Sequence, residues 1–262
     1  MDFGALAPTL FCGQCFRWTK LPDGSYEGMA KDRYVRITPE NLPELLEDGF
    51  WAEYFDTGLD YEAIRERFCG LDPVLAEAVR FAPEMRVLNQ DPWEALCTFL
   101  LSQCNNIGRI RGMVERLCAS YGAPAEGGRR AFPRPEELSG AEEEDLRALG
   151  FGYRAPYVLD AARRVLSGEI DFGRLRTQPL DEARAELRRV EGVGPKVADC
   201  ALLYGLHRLE AFPMDVWMKR AMGGLFPGRE PAWFGPFAGV AQQYLFHYSR
   251  CHPELFRESI KI

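Results

Sequence analysis

A lysine lies at the junction between a glycine hairpin and a helix in the segment V-E-G-V-G-P-K-V-A-D-C, residues 190–200. Gly192 and Gly194 let the backbone approach a phosphate closely, and the helix that starts near Lys196 points its positive end and free N–H groups at that anion. Such a helix-hairpin-helix pattern is typical of proteins that hold DNA without reading its sequence. Because a lysine amine can also act as a nucleophile, we expect the hairpin to bring reactive chemistry to DNA.

An aspartate follows the lysine in the segment A-F-P-M-D-V-W-M-K-R, residues 211–220. A lysine that attacks a sugar C1′ needs an amine that can become neutral, and a carboxylate that takes up protons and stabilises the cationic sugar. Burial lowers the pKa of a lysine, whereas a facing carboxylate raises it, and the sequence leaves this balance open. Asp215 also follows Pro213 at a predicted helix start, where aspartate is a common N-cap. Both interpretations of Asp215 stay open here.

The composition is that of a folded protein with reduced thiols. The 262 residues are 47% hydrophobic and 27% charged, which suffices for one large domain or two to three subdomains. The sequence has no apolar run of about 20 residues and no basic-then-apolar leader, so we expect a cytoplasmic protein without a membrane partner. Its eight cysteines then predict free thiols, and the C-x-x-C of Cys12 and Cys15 lacks the further ligands that zinc requires.

The net charge of −7 argues mildly against a polyanionic partner, since nonspecific DNA affinity comes mainly from lysine and arginine. The acidic residues are unevenly distributed, however. Residues 39–62 carry eight carboxylates and no basic residue, and A-E-E-E-D at 141–145 adds four more. A binding surface can therefore be locally neutral or basic although the whole chain is acidic.

The order of the predicted elements indicates an α+β fold. The stretches Q-C-F-R-W-T-K-L, S-Y-E-G-M-A and R-Y-V-R-I-T-P predict an antiparallel meander, and helical periodicity dominates the rest of the chain. We expect a small N-terminal antiparallel sheet domain, residues 1–75, that contributes to base recognition and packs on a mainly helical body, residues 76–262. Within that body, Ser139 with Glu142 predicts a capping box before E-E-D-L-R-A-L-G.

These motifs, taken together, resemble the 8-oxoguanine DNA glycosylase family of the helix-hairpin-helix superfamily. Similar stretches occur in the family's order between Phe11 and Ser249: C-G-Q-C-F-R-W, N-N-I-G-R-I-R-G-M-V-E-R-L-C, L-G-F-G-Y-R-A-P-Y-V, G-V-G-P-K-V-A-D-C, P-M-D-V-W-M and F-A-G-V-A-Q-Q-Y-L-F. The resemblance implies a base excision DNA repair enzyme that excises 8-oxoguanine from duplex DNA and nicks the strand as an AP lyase. Lys196 would form the Schiff base, and Asp215 would be the essential carboxylate beside it.

The resemblance also implies how the damaged base is recognised. Oxidised guanine carries a hydrogen at N7, so one backbone carbonyl can favour the lesion, and Gly13 matches that position. Gln242 matches the residue that reads the pairing edge of the base, and Phe246 matches an aromatic that stacks on it. Cys200 matches a cysteine that covers the other face of the base, as a thiolate paired with the lysine. Without the resemblance, Gly13 is equally a turn glycine, and Gln242 and Phe246 are equally ordinary residues on a helix face. Cys200 is equally a small buried hydrophobic residue.

A second group of matches implies contacts with the opened duplex. Tyr153 matches a wedge that fills the duplex beside the extruded base. Arg109 and Arg154 match arginines that hold the orphaned cytosine, a role that suits the donor geometry of arginine. Asn105 and Asn106 match asparagines that begin a helix supporting the duplex. From the residues alone, Tyr153 is equally an aromatic core residue. Arg109 and Arg154 are equally phosphate contacts or solvated charges, and Asn105 and Asn106 are equally routine helix-start residues.

Three residues depart from the family pattern. Cys104 stands where eukaryotic members have an asparagine that contributes to cytosine contact. Because a thiol is a weak donor and acceptor, we expect weaker selectivity for cytosine. Trp217 replaces a histidine near the catalytic aspartate, and Ser249 replaces the acid that supports this histidine. We therefore expect Trp217 to contact DNA by stacking or by donating one N–H hydrogen bond.

The resemblance implies no metal and no organic cofactor. The expected partner is double-stranded DNA with 8-oxoguanine opposite cytosine, bound by a monomer that is nucleoid-associated in a prokaryote. Two alternatives remain open: a glycosylase of the same superfamily for another damaged base, and a noncatalytic helix-hairpin-helix DNA-binding protein. Gly13 together with Gln242 argues against the first alternative, and a covalent adduct through Lys196 would exclude the second.

Overall fold

The N-terminal part of the chain forms a three-stranded antiparallel sheet behind a short helix. The structure, a computed structural model, describes residues 1–260, with side chains described for residues 1–256. A 3-10 turn and α1 precede the strands β1, β2 and β3, whose bounds are Phe3–Ala5, Leu6–Leu10, Trp18–Lys20, Tyr26–Ala30 and Arg33–Ile37. The sheet order is β1-β2-β3, with Trp18 opposite Gly28. The predicted meander is confirmed, although β1 is shorter than the stretch that predicted it.

The remainder of the described chain is helical. The α-helices are α2 Leu42–Leu45, α3 Gly49–Tyr54, α4 Tyr61–Leu71, α5 Pro73–Phe81, α6 Pro92–Leu101, α7 Ile107–Tyr121, α8 Glu143–Ala148, α9 Ala155–Leu166, α10 Phe172–Thr177, α11 Leu180–Leu187, α12 Pro195–Cys200, α13 Val216–Leu225 and α14 Ala238–Cys251. A π-helical turn, Ala201–Gly205, continues α12, and 3-10 turns cover Glu126–Gly128, Pro135–Leu138, Gly152–Arg154, Pro231–Phe237 and Pro253–Ile260. The predicted α+β class is confirmed. Within residues 1–260, none of the helices has both the length and the apolar character to cross a bilayer.

Helix α8 begins differently from the prediction. The capping box predicted for Ser139 and Glu142 is wrong, because Glu142 is itself the N-cap and Asp145 is its reciprocal partner. The Asp145 carboxylate accepts a hydrogen bond of 2.9 Å from the Glu142 N–H. Ser139 instead ends the preceding 3-10 turn and donates to Glu136 O at 2.7 Å. The run of acidic residues offers a second carboxylate at the required spacing, which moves the box three residues along the chain.

Two hydrophobic cores underlie this architecture. The smaller core joins the sheet to α1 and α3 through aromatic residues that include Trp18, Trp51 and Phe55. Gly28 is required in this core, because a Cβ at that position would overlap the Trp18 ring. The larger core contains the buried residues of the helical body, and α4 packs into it through Tyr61, Ile64 and Phe68. The division of the chain at residue 75 stays a prediction.

Helix α6 lies at the centre of the helical body. All its residues from Trp93 to Leu101 are buried, and it packs against α12 and the π-helical turn. The approach to the turn is close, because a Cβ on Gly205 would lie 2.8 Å from Pro92 Cα. The C-terminal end of α6 therefore lies next to the helix that carries Lys196, and side chains from both elements meet there.

Candidate active site

The glycine hairpin between α11 and α12 is held by its neighbours on α9. Gly192 has φ +78°, and a Cβ there would overlap the Tyr157 ring, so this position requires glycine. The adjacent Glu191 N–H donates to the Asp160 carboxylate at 2.8 Å. Gly194 is the N-cap of α12, where Pro195 occupies the first turn. These contacts fix the hairpin and leave the start of α12 partly exposed.

The six residues predicted for catalysis and base recognition line one cavity. They are Gly13, Lys196, Cys200, Asp215, Gln242 and Phe246, and the wall is completed by Phe99, Tyr204 and Pro213. The cavity volume is about 40 Å³, well below the roughly 150 Å³ of an engineered cavity that holds benzene. Entry of a purine therefore requires wall side chains to move.

The Lys196 amine is held by the end of α6. Its Nζ donates a hydrogen bond of 3.0 Å to Ser102 Oγ and lies 5.1 Å from the centre of the Phe99 ring. The Ser102 hydroxyl donates its own proton to Phe99 O at 2.7 Å, so its lone pairs are free to accept from the lysine. The amine is thus directed at the cavity by a hydroxyl and an aromatic face.

Asp215 combines a capping role with a position at the cavity wall. It is the N-cap of α13, and its Oδ1 accepts a hydrogen bond of 2.8 Å from the Met218 N–H. Burial raises the pKa of its carboxyl, while this N–H and the nearby Lys196 charge oppose the rise. Both interpretations that the sequence left open for Asp215 therefore describe the same side chain.

Cys200 is a neutral thiol in this structure. Burial raises its pKa to about 12, although the Lys196 charge lowers it. Desolvation outweighs the nearby cation, so the thiolate expected from the resemblance is the minor form at neutral pH. Cys200 therefore lines the cavity as a small, apolar group.

The turn that carries Gly13 is anchored by a buried glutamine. Gly13 has φ +90°, which favours glycine, and it packs beside Phe246. The Gln14 amide donates to Thr9 O and Arg86 O, both at 2.8 Å, and accepts from the Leu88 N–H at 2.8 Å. Three hydrogen bonds to backbone groups leave this side chain little freedom, so the turn is rigid on the side away from the cavity.

Tyr153 and Arg154 lie together on the 3-10 turn Gly152–Arg154, just before α9, and both donate to the turn between α6 and α7. Tyr153 is 50% exposed and donates to Gln103 O at 3.2 Å, and the Arg154 guanidinium lies 4.3 Å from the centre of its ring. Arg154 is buried, and its N–H groups bind the carbonyl oxygens of Gln103, Cys104 and Phe151. It is therefore neither a solvated charge nor a free donor in this conformation.

Asn105 and Asn106 shape the turn between α6 and α7. Asn105 donates to Leu101 O at 3.0 Å and accepts from the Asn106 N–H. Asn106 is the N-cap of α7 and accepts from the Arg109 N–H at 3.0 Å, while the Arg109 side chain is exposed. Cys104 is exposed with φ +47°, a left-handed conformation that asparagine adopts more readily than cysteine.

Trp217 follows Asp215 at the start of α13 but does not line the cavity. Its ring packs edge-on against Phe256, with centres 6.5 Å apart, and Arg220 lies over its face. Ser249 is fully buried, and its hydroxyl has no hydrogen-bond partner within the described residues. Neither Trp217 nor Ser249 is ionisable. These two departures from the family pattern therefore leave packing contacts beside α13 in place of an ion pair.

Several cavity residues escaped prediction. Tyr204 continues the four-residue spacing of Lys196 and Cys200, so this helical periodicity is a signal that could have identified it. Ser102 and Phe99 precede Lys196 by more than ninety residues, and no local pattern connects them. Contacts of that range are decided by how α6 packs on α12.

Comparison with known proteins places the chain in a family. Residues 5–96 match the model of the 8-oxoguanine DNA glycosylase N-terminal domain, and residues 97–231 match that of the helix-hairpin-helix-GPD superfamily of base excision DNA repair proteins. The class of protein is thus a helix-hairpin-helix DNA repair protein. The chain belongs to the 8-oxoguanine DNA glycosylase family.

Individual relatives agree with this assignment. An N-glycosylase/DNA lyase OGG1 of Arabidopsis thaliana is 32% identical over 89% of this chain and 74% of its own length. A probable N-glycosylase/DNA lyase of Methanothermobacter thermautotrophicus is 34% identical, but the match spans only 62% of each protein. The Clostridium acetobutylicum 8-oxoguanine glycosylase/lyase, solved with DNA containing cytosine opposite 8-oxoguanine, is 33% identical, with a TM-score of 0.84 over 95% of this chain and 92% of that one.

The two hairpin glycines predict opposite responses to alanine. Gly192→Ala combines a positive φ with overlap of the Tyr157 ring, so we expect the free energy of unfolding to fall by about 2–4 kcal/mol. Gly194→Ala is the matched control, since its φ is −86° and no atom lies within 4 Å of the added Cβ. Urea unfolding measures both variants, and equal stabilities would contradict the assigned hairpin geometry.

Proposed function

We propose that the protein excises 8-oxoguanine from duplex DNA and then nicks the strand, with Lys196 as nucleophile and Asp215 as its carboxylate partner. One observation carries this proposal: the lysine amine and the aspartate carboxyl line the same cavity as the matched base-recognition residues. We further propose that the protein acts as a monomer. Family membership supplies the substrate class, double-stranded DNA with 8-oxoguanine opposite cytosine.

The reaction begins at C1′ of the extruded nucleotide. As the bond from Lys196 Nζ to C1′ forms, the C1′–N9 bond breaks, and its electron pair leaves with the base, which takes up a proton. The amine loses a proton, and the sugar ring opens to a Schiff base. This imine acidifies the C2′ hydrogen, so a base can remove that proton while the C3′–O bond breaks. Strand nicking by β-elimination follows.

The Asp215 carboxylate supports these steps from the start of α13. It stabilises positive charge that develops on the sugar and exchanges protons with the amine. The helix N–H groups hold it in place whether or not substrate is bound, because the cap is part of the fold. Ser102 complements it by accepting a hydrogen bond from the amine without neutralising its charge.

The opposite walls of the cavity receive the base. Gly13 provides a backbone carbonyl for the N7 hydrogen of the lesion, and Gln242 pairs with the Watson–Crick edge. Phe246, which is partly exposed, stacks on one face, and the Cys200 thiol covers the other. Since the cavity is small in this structure, we expect a wall side chain such as the partly exposed Phe246 to move when a base enters.

Contacts with the opened duplex come from the turn between α6 and α7, from the 3-10 turn Gly152–Arg154 and from the hairpin. Tyr153 is the exposed aromatic that enters the duplex, and base extrusion costs a few kcal/mol that such a wedge offsets. Arg109 extends into solvent and binds the orphaned cytosine, while Arg154 supports the same surface from below through the carbonyls of the turn. Gly192 and Gly194 bring backbone N–H groups to a phosphate.

Lys196→Gln tests the nucleophile. Borohydride reduces a Schiff base to a stable amine, so the wild-type protein should give a covalent protein–DNA adduct with an 8-oxoguanine duplex, and the variant should give none. The adduct is measured by its retarded band on a denaturing gel. Lys219→Gln, which changes an exposed lysine on α13, is the matched control and should trap normally. A wild-type protein that binds the duplex without any adduct would support the noncatalytic alternative.

Asp215→Asn separates the charge of this residue from its cap. Asparagine caps a helix as well as aspartate does, so the melting temperature should change little while single-turnover base release falls about 100-fold or more. Because burial raises the pKa of the Asp215 carboxyl above its usual 3.8, the wild-type rate should fall as pH drops through that raised pKa. Asp91→Asn makes the same exchange at the N-cap of α6 and should leave the rate unchanged. A fully active Asp215→Asn variant would refute the assigned role.

Cys104→Asn tests opposite-base selectivity. We expect the wild-type protein to prefer cytosine only weakly, and the variant to gain about tenfold in the ratio of rates opposite cytosine and adenine, which corresponds to about one added hydrogen bond. The asparagine also suits the left-handed backbone at this position. Release of 8-oxoguanine from the two duplexes measures the ratio. Strict cytosine selectivity in the wild-type protein would contradict our interpretation of Cys104.

A further inference from the structure

Tyr204 places one hydroxyl between two glutamines at the back of the cavity. It stands on the π-helical turn Ala201–Gly205, is only 4% exposed, and stacks on Phe99 with ring centres 5.1 Å apart. Its hydroxyl lies 2.5 Å from Gln243 Oε1 and 3.3 Å from Gln242 Oε1. A phenol has a single proton to donate, so these two amide oxygens share it in a three-centre bond.

The direction of this hydrogen-bond chain is set by a backbone carbonyl. The Cys12 thiol donates to Thr9 O at 3.3 Å, and burial raises the pKa of Cys12 to about 11, so the thiol keeps its proton. Its sulfur then accepts from Gln243 Nε2, at 2.6 Å. Because the amide nitrogen of Gln243 faces the sulfur, its oxygen must face Tyr204. A carbonyl can only accept, so the chain cannot reverse.

In the structure, the oxygen end of the Gln242 amide lies beside Tyr204. Gln242 is 3% exposed, and its Oε1 shares the Tyr204 proton. With the oxygen held at the tyrosine, the NH₂ group occupies the other branch of the amide. Cys12 also precedes Gly13, so the network ends beside both residues that are proposed to read the base.

A glutamine of fixed orientation can distinguish two classes of purine. At positions 6 and 1, a guanine-type edge presents an acceptor and then a donor, whereas an adenine-type edge presents a donor and then an acceptor. An amide that is free to rotate can match either order. An amide whose oxygen is held in place matches only one of these two orders of donor and acceptor. A base with the other order leaves polar groups unpaired or places like groups opposite each other, which lowers its affinity.

We propose that Tyr204 is a positioning residue that determines specificity for a guanine-type pairing edge by fixing the amide orientation of Gln242. The inference rests on the proposed function, since it concerns the base that Lys196 would release. It adds a role that acts through Gln242, without contact between Tyr204 and the reacting atoms.

Tyr204→Phe tests this role with two lesions that differ at the pairing edge. 8-Oxoguanine and 8-oxoadenine both carry a hydrogen at N7 and a carbonyl at C8, so a carbonyl at Gly13 suits both. We expect the ratio of single-turnover release rates, 8-oxoguanine over 8-oxoadenine opposite cytosine, to fall about tenfold in the variant. The substitution removes one oxygen and keeps the ring on Phe99, and its melting temperature is measured in parallel.

Tyr244→Phe is the matched control. Tyr244 is buried on the same helix as Gln242, but its hydroxyl binds Pro83 O and Met85 O. This variant should lose stability without changing the ratio of rates. A ratio that falls equally in both variants would assign the effect to general loosening of α14 and overturn the inference.

A second variant covers the case in which Tyr204→Phe does not fold. Gln243→Met removes the competing acceptor, so the Tyr204 proton passes wholly to Gln242 Oε1 and the ratio should be kept or raised. A fall in the ratio would overturn the proposal, as would an unchanged ratio in a folded Tyr204→Phe variant. A wild-type protein that releases no 8-oxoguanine would instead contradict the proposed function, which separates the two failures.

Discussion

The structure depends on holding a cation and a carboxyl at one desolvated cavity while anchoring each of them elsewhere. The Lys196 amine is bonded to Ser102 at the end of α6, and the Asp215 carboxyl is bonded to the first turn of α13. A direct ion pair would favour the protonated, non-nucleophilic form of the amine and so reduce its reactivity. Separate anchors keep the two groups near each other and available, which is why the packing of α6 against α12 governs the chemistry.

Ordinary rules of local structure serve this arrangement. A helix cap, a glycine with positive φ and a partly buried serine would each be routine in any protein. At this site each also positions a group that faces the cavity: the cap holds Asp215, Gly192 closes the hairpin, and Ser102 directs Lys196. Structural and functional interpretations of these residues are therefore compatible, because a rigid local motif holds a side chain in the position that its function requires.

The two halves of the site differ in how their polar groups are satisfied. Behind the base pocket, Gln14 and Gln243 are buried with their amides bonded to fixed partners, which makes that wall rigid. On the side proposed to face DNA, Tyr153 and Arg109 are exposed, and Arg154 donates to carbonyl groups of the turn between α6 and α7 and of Phe151. A rigid pocket suits discrimination between similar bases, and an exposed turn suits entry into a duplex.

The sequence by itself determined the local features: the sheet, the hairpin, the helix start at Asp215 and the helix that begins near Lys196. It failed at the start of α8, where Glu142 with Asp145 forms the capping box that was predicted for Ser139 with Glu142, and the assigned roles of the site residues stay predictions. Only the tertiary structure decided that Ser102 meets Lys196, 94 residues away, and that Gln243 meets Cys12, 231 residues away. Periodicity and capping report neighbours within a helical turn, whereas these contacts arise from how separate helices pack, which no local pattern encodes.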